Sequence, residues 1–230
     1  MESSGRESAF FLGALVVLSG GAAALSLSTA PPVAVQQLHI GAGATVGVGS
    51  LVIHANEVKA TAGAGSAPRS SALSIVDVYQ GPDRWAETAR NGQGQIGQLV
   101  VIGNQSWQRT LPGRWVELPS SDTIPSKGEA ASQQNFALAA LAQNAESVTR
   151  HGVTSSAVYS FELSPAALIE TFGGTPPPGF SYSLSALIDG PYMTGQQLSA
   201  SNGSASERIM LKYSQLGTAP PVTAPTPGTR

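Results

Sequence analysis

The chain has 230 residues, of which 11% are Asp, Glu, Lys or Arg, and a formal net charge of -2. An ordinary soluble domain carries ~25% charged residues, so this chain has no basic footprint for nucleic acid or for an anionic membrane surface. It has no cysteine, which excludes a disulfide framework, a thiol nucleophile, cysteine-ligated zinc and acylation at a lipobox cysteine.

From Ser8 to Asn56 there is no charged side chain, and within that span Ala9–Leu27 is a run of 19 apolar or small residues. As a helix it would be ~28 Å long, close to the ~30 Å hydrocarbon core of a bilayer. An uncleaved signal anchor and a cleaved signal peptide both fit residues 1–30. A small-x-small site at Ser28-Thr29-Ala30 is followed by Pro31, which favours the anchor. Either reading places the remainder outside the cytoplasm, in a single-pass membrane protein or in a secreted one.

Residues 31–43 read as a linker, opened by Pro31-Pro32 and continuing into glycine. The stretch Gly41-Ala-Gly43-Ala-Thr-Val-Gly47 has the outline of a dinucleotide loop. Such a loop needs a strand before it and a helix after it; neither is legible, so it reads as flexible glycine.

Strand signals then recur. Val46–Lys59 alternates, with Gly47 and Gly49 suggesting a bulge. Leu73–Tyr79 ends in the turn Gly81-Pro82-Asp83, and Arg84–Thr88 begins a return strand. Asn91-Gly92 and Gly103-Asn104 mark further hairpins, the second between Gln98–Gly103 and Gln105–Thr110. Arg114–Leu118 completes a meander. Ser132–Val148 reads as a helix on Ala/Leu content and an N-cap serine. Beyond it lie a strand at Ala157–Leu163, a short helix or turn at Pro165–Phe172, and strands at Phe180–Ile188, Tyr192–Ala200 and Glu207–Tyr213. Asp189-Gly190 is a hairpin turn. Residues 218–230 hold four prolines without apolar periodicity and read as a disordered tail. Seven to nine antiparallel strands with one or two helices and no βαβ alternation define an α+β domain over residues 44–217.

Chemistry is sparse. His39, His54 and His151 have no partner at metal-ligand spacing, so no metal site is expected. No Gly-x-Ser-x-Gly, Ser-x-x-Lys or His-Glu-x-x-His motif occurs, leaving no catalytic residue and no enzyme activity to assign. Asp77, Glu87 and Glu117 fall on neighbouring strands and read as solvent-facing charges. Trp85, Trp107 and Trp115 all lie in one meander; they read as cross-strand packing that pins register, ahead of a ligand-lining role.

Tyr79-Gln-Gly-Pro-Asp83-Arg84, Val100-Val-Ile-Gly103-Asn104…Trp107-x-Arg109 and Gly113-Arg-Trp115 together resemble the LolA/LprG/LppX-like envelope lipoprotein superfamily of actinobacteria. His151-Gly152…Val158-Tyr159-Ser-Phe161, Ile188-Asp189-Gly190 and Leu211-Lys-Tyr213 follow in matching order, and the resemblance runs from about Gly43 to Pro225. It implies a half-barrel: one strongly curved antiparallel sheet wrapped around helices, enclosing an apolar cavity. It implies carriage or sensing of a lipid or acyl chain, with no cofactor. Phe136, Ala140 and Leu141 on the helix, with Val100, Ile102 and Trp107 on the sheet, are the expected lining. Anchoring would be by the N-terminal helix, and no protein partner is specified. The alternative is an envelope sensor or accessory module with a collapsed cavity that binds protein.

Overall fold

The computed structural model describes residues 32–61, 69–81, 83–119, 145–153, 155–172, 176 and 178–226. Helix α1 (Pro32–Val46) leads into six strands: β1 (Ser50–Thr61), β2 (Arg69–Gln80), β3 (Arg84–Asn91), β4 (Gly94–Ile102), β5 (Gln105–Thr110) and β6 (Val116–Glu117). Then come β7 (Ala145–Val153), β8 (Ser156–Leu163), helix α2 (Pro165–Phe172), β9 (Ser181–Asp189), β10 (Tyr192–Ser201) and β11 (Ala205–Ser214).

All 11 strands form one antiparallel sheet in the order β6-β5-β4-β3-β2-β1-β11-β10-β9-β8-β7. Two meanders, β1 to β6 and β7 to β11, are therefore joined where their first and last strands pair. That seam runs in register from Val52–Ser214 to Thr61–Ala205. It is a non-local contact that no hairpin rule can supply, since its two strands stand at opposite ends of the domain.

One face of the sheet carries α1 and the main core. Its residues alternate along each strand as the pleat requires: Leu51 and Ile53 on β1, Tyr79 on β2, Trp85 on β3, Val101 on β4. Across the seam the same face continues with Tyr213 and Leu211, then Leu198, Leu184 and Phe161, all buried. The β8 pattern is the plainest case, with Ala157, Tyr159, Phe161 and Leu163 buried at every second position. Leu168 of α2 joins the same cluster.

Four expectations from the sequence are corrected. Residues 32–43, read as linker, are helical, because α1 starts at Pro32. Proline suits the first helical position, where its missing N–H has no helical acceptor anyway. Gly41 is what lets the helix dock closely. Leu38, Gly41, Ala42 and Thr45, spaced as one helical face, are all buried as α1 lies on β10 and β9. A Cβ on Gly41 would stand 2.7 Å from Ile188 Cδ1 and 3.3 Å from the Met193 nitrogen.

Second, the expected helix Ser132–Val148 does not extend to its end. Ala145–Val148 belongs to β7 and pairs with β8, Val148 opposite Phe161; Ser132–Asn144 lies outside the described residues. An edge strand's pairing with β8 outweighs the helix propensity of this short stretch. Third, Thr218–Thr226 is placed against the sheet: Val222 is 3% exposed and its N–H donates to Gln80 Oε1 (3.1 Å). Fourth, Asp77 and Glu87 face the core side of the sheet. They stand directly opposite one another on β2 and β3, in line with Ile53.

The two glycines read as a bulge end α1 instead. Gly47 N–H closes the helix on Gly43 O (2.9 Å), and Gly49, at φ 74°, turns the chain into β1. A bulge does lie beside α1, in β10 between Met193 and Gly195. Thr45, fully buried, fills it: its Oγ1 accepts the Met193 N–H (2.9 Å) and faces the carbonyls of Met193 (3.0 Å) and Gly41 (2.8 Å). The polar groups that a bulge strands inside the core are thereby bonded.

Candidate ligand-binding face

The helix-bearing face is a broad apolar surface with polar groups confined to particular rows. At its centre Gln196 Nε2 donates to the Tyr213 hydroxyl (2.6 Å). Burial holds Tyr213 above the ordinary phenol value. Burial likewise raises Tyr79, with Asp77 and Glu87 adding to it. Both phenols are neutral at physiological pH.

At the end of the sheet away from α1, β1 and β11 present a charged cluster. Lys59 Nζ lies 2.8 Å from Glu57 Oε1 and 3.2 Å from Glu207 Oε1. Burial alone would lower the Lys59 pKa, but the two carboxylates outweigh it and raise it above 10.5. Burial is also the first cause of the rise in Glu207 above 4.5, with Glu57 adding and Lys59 opposing. Lys59 thus holds two carboxyl groups together on the helix-bearing face. Sequence reading missed this cluster. Glu57-x-Lys59 does show two charges on one strand face, but Glu207 joins them only through the β1–β11 register.

The residues expected to line a cavity divide into two groups. Phe136, Ala140 and Leu141 lie outside the described residues. Val100, Ile102 and Trp107 are on the opposite face of the sheet from the core. They belong to a second cluster with Val78, Ala86, Trp115 and Val222. The cause is the period of two in a strand: Val101 faces the core, so its neighbours Val100 and Ile102 point away. Trp85, 1% exposed, is the tryptophan on the core side. Trp107 and Trp115 sit on the outer face, where the Arg109 guanidinium stacks over Trp115 at 5.0 Å.

Among the described residues no group of His, Asp and Glu could hold a metal ion. No helix among them is long and apolar enough to cross a membrane, and Ala9–Leu27 lies outside them.

No protein-family model matches the chain, and no curated protein matches it. Among solved structures it is similar to LprF from Mycobacterium bovis, at 14% identity and a TM-score of 0.46, over 86% of this chain and 98% of that one. It is also similar to the LolA superfamily protein NE2245 from Nitrosomonas europaea (9% identity, TM-score 0.29, 78% and 90% covered). A putative outer membrane lipoprotein-sorting protein domain from Vibrio parahaemolyticus matches at 10% identity and a TM-score of 0.29, over 78% and 91%.

Proposed function

We propose that this is an extracytoplasmic protein, anchored by its N-terminal apolar segment, that holds a lipid or acyl chain against the helix-bearing face for carriage or sensing in the cell envelope. The observation that carries this reading is the imbalance between sheet and helix. Laid flat, 11 strands at about 4.8 Å spacing would be roughly 50 Å across. Helix α1, with 15 residues, is ~22 Å long and ~10 Å wide, and among the described residues it packs mainly on β10 and β9. Sheets beyond ~10 strands curl rather than stay open and flat. Curling toward the helix-bearing face forms a half-barrel with an apolar trough. Binding there rests on buried apolar area, worth ~25 cal/mol per Å².

The test is uptake of a fluorescent fatty acid by the full chain, with native mass spectrometry of co-purifying lipid. Ala55, on the core side of β1 and packed against the main cluster, is the small residue to enlarge. Ala55→Trp is expected to lower uptake by about tenfold or more, the effect of filling an apolar site. Ser185→Trp, on the outer face of β9, is expected to leave it unchanged. Neither uptake nor co-purifying lipid in the parent chain would sink the reading.

A further inference from the structure

The outer face is built differently on the two meanders. On β8 and β9 it is rich in serine, with Ser160 and Ser185 hydroxyls 3.2 Å apart. On β2 to β5 it carries an apolar patch, Val78, Ala86, Val100, Ile102 and Trp107, bordered by Trp115 and, along the strands, by the polar row Thr88, Gln98 and Arg109. An apolar outer patch of this kind marks an interaction site unless something covers it. Here the C-terminal segment does.

That segment lies on the patch in an unusual way. Residues Ala219–Thr226 form neither helix nor strand, and burial recurs at every third position: Ala219 is partly buried, Val222 buried and Pro225 partly buried, while Pro220, Pro221, Thr223 and Ala224 are exposed. A period of three is that of the polyproline II helix, which presents one edge every third residue and satisfies no backbone group internally. Backbone donors tether it, Ala219 N–H to Ser50 Oγ (3.3 Å) and Val222 N–H to Gln80 Oε1 (3.1 Å). Val222 is its single fully buried side chain, and it sits against Trp107 and Val100. An extended proline-rich segment on an aromatic-lined groove is the arrangement by which proline-rich peptides are recognised.

We propose that this outer groove is a recognition site for a proline-rich, polyproline II segment of a partner protein, and that the chain's own Ala219–Thr226 occupies it as an internal pseudo-ligand. A partner displaces the strap by presenting the same spacing, one small apolar residue every third position among prolines. The occupant already seated is the argument for that chemistry. A strap that forms no strand pairing and buries one side chain fully, Val222, opens without breaking the sheet's own ladder. This site is on the other side of the sheet from the proposed lipid face and stands or falls separately.

The experiment uses the full chain and a labelled peptide, TAPPVTAPT, corresponding to Thr218–Thr226. Val222→Asp in the chain unseats the strap. Fluorescence anisotropy is expected to show saturable binding of the peptide to this variant and at least roughly tenfold weaker binding to the parent, whose strap competes. Adding Trp115→Ala is expected to weaken binding roughly tenfold, the loss of an aromatic anchor, with an unchanged circular dichroism spectrum. A peptide with its valine moved by one position is expected not to bind. Hydrogen exchange on the unmodified chain supplies an independent reading: the Val222 amide should exchange well before the Val78 amide beneath it. Absence of saturable binding to a folded Val222→Asp chain, equal binding of the shifted peptide, or exchange of Val222 only together with β2 would overturn the proposal. Formation of a dimer through exchanged tails would assign the groove to a second copy and overturn the partner assignment.

Discussion

Glu207 illustrates how much a single side chain's environment is set by its neighbours. Its carboxyl is raised above the ordinary 4.5 by burial first and then by Glu57, against the pull of Lys59. A carboxyl raised in the folded state contributes stability while protonated; the contribution is full below pH 4.5 and is lost as pH rises through the folded value. Glu207→Gln keeps the shape of the neutral form. Its urea midpoint is therefore expected to gain on the parent's as pH is raised from below 4.5 toward neutrality. A difference that stays constant over that range would mean the carboxyl is not in this environment. Lys59, held above 10.5, stays cationic throughout that window, since its own contribution is lost only as pH rises through its folded value in alkali. The same residue scale explains why Val100 and Ile102 stand on the outer face. Val100 and Ile102 were legible as strand residues, and so was their common face. Which face met the core was not, because alternation fixes a phase only once one residue's direction is known.

Among the elements, α1 shows what composition conceals. Its glycines read as flexible chain, yet they divide into two kinds by what surrounds them. Alanine at Gly41 would meet Ile188 Cδ1 at 2.7 Å and a backbone nitrogen at 3.3 Å. Overpacking of this kind costs about 1–3 kcal/mol, while alanine gains up to ~1 kcal/mol in helix propensity, so the clash wins. At Gly43 nothing lies within 4 Å of the added Cβ, and only the propensity gain applies. Denaturant unfolding is expected to show Gly41→Ala destabilised by about 1 kcal/mol and Gly43→Ala stabilised by up to ~1 kcal/mol. The same sign at both positions would refute the docking of α1 on β9 and β10. β7 is the converse case. Its Ala145–Val148 segment follows an alanine-rich stretch that favours helix, and pairing with β8 decides otherwise.

For the whole molecule, the β1–β11 seam determines which parts hold longest. β1 and β11 are each flanked by strands on both sides, whereas β6, at one edge, is a pair of exposed residues and β7 forms the other edge. Local opening starts where fewest contacts must be broken. Hydrogen exchange is therefore expected to be slowest in β1 and β11 and to grow faster toward β6 and β7. Exchange slowest within one meander, with the seam opening early, would mean the two meanders are independent units. The sheet's width also sets the functional argument. The proposed ligand face and the proposed peptide groove lie on opposite faces, kept apart by the thickness of the sheet.

The sequence by itself determined an antiparallel domain and most of its strands and turns: Asp189-Gly190, Gly103-Asn104 and Asn91-Gly92 all mark the point where one strand turns into the next. These are local features, fixed by the conformations a few adjacent residues allow. Only the tertiary structure decided the seam between β1 and β11, the phase of each strand toward the core, the helical state of α1 and the seating of Val222. Each of those depends on contacts between residues far apart in the chain. Lys59 and Glu207 are neighbours only because β1 and β11 pair, and Thr45 meets Met193 only because α1 crosses a bulge. No window of adjacent residues contains that information.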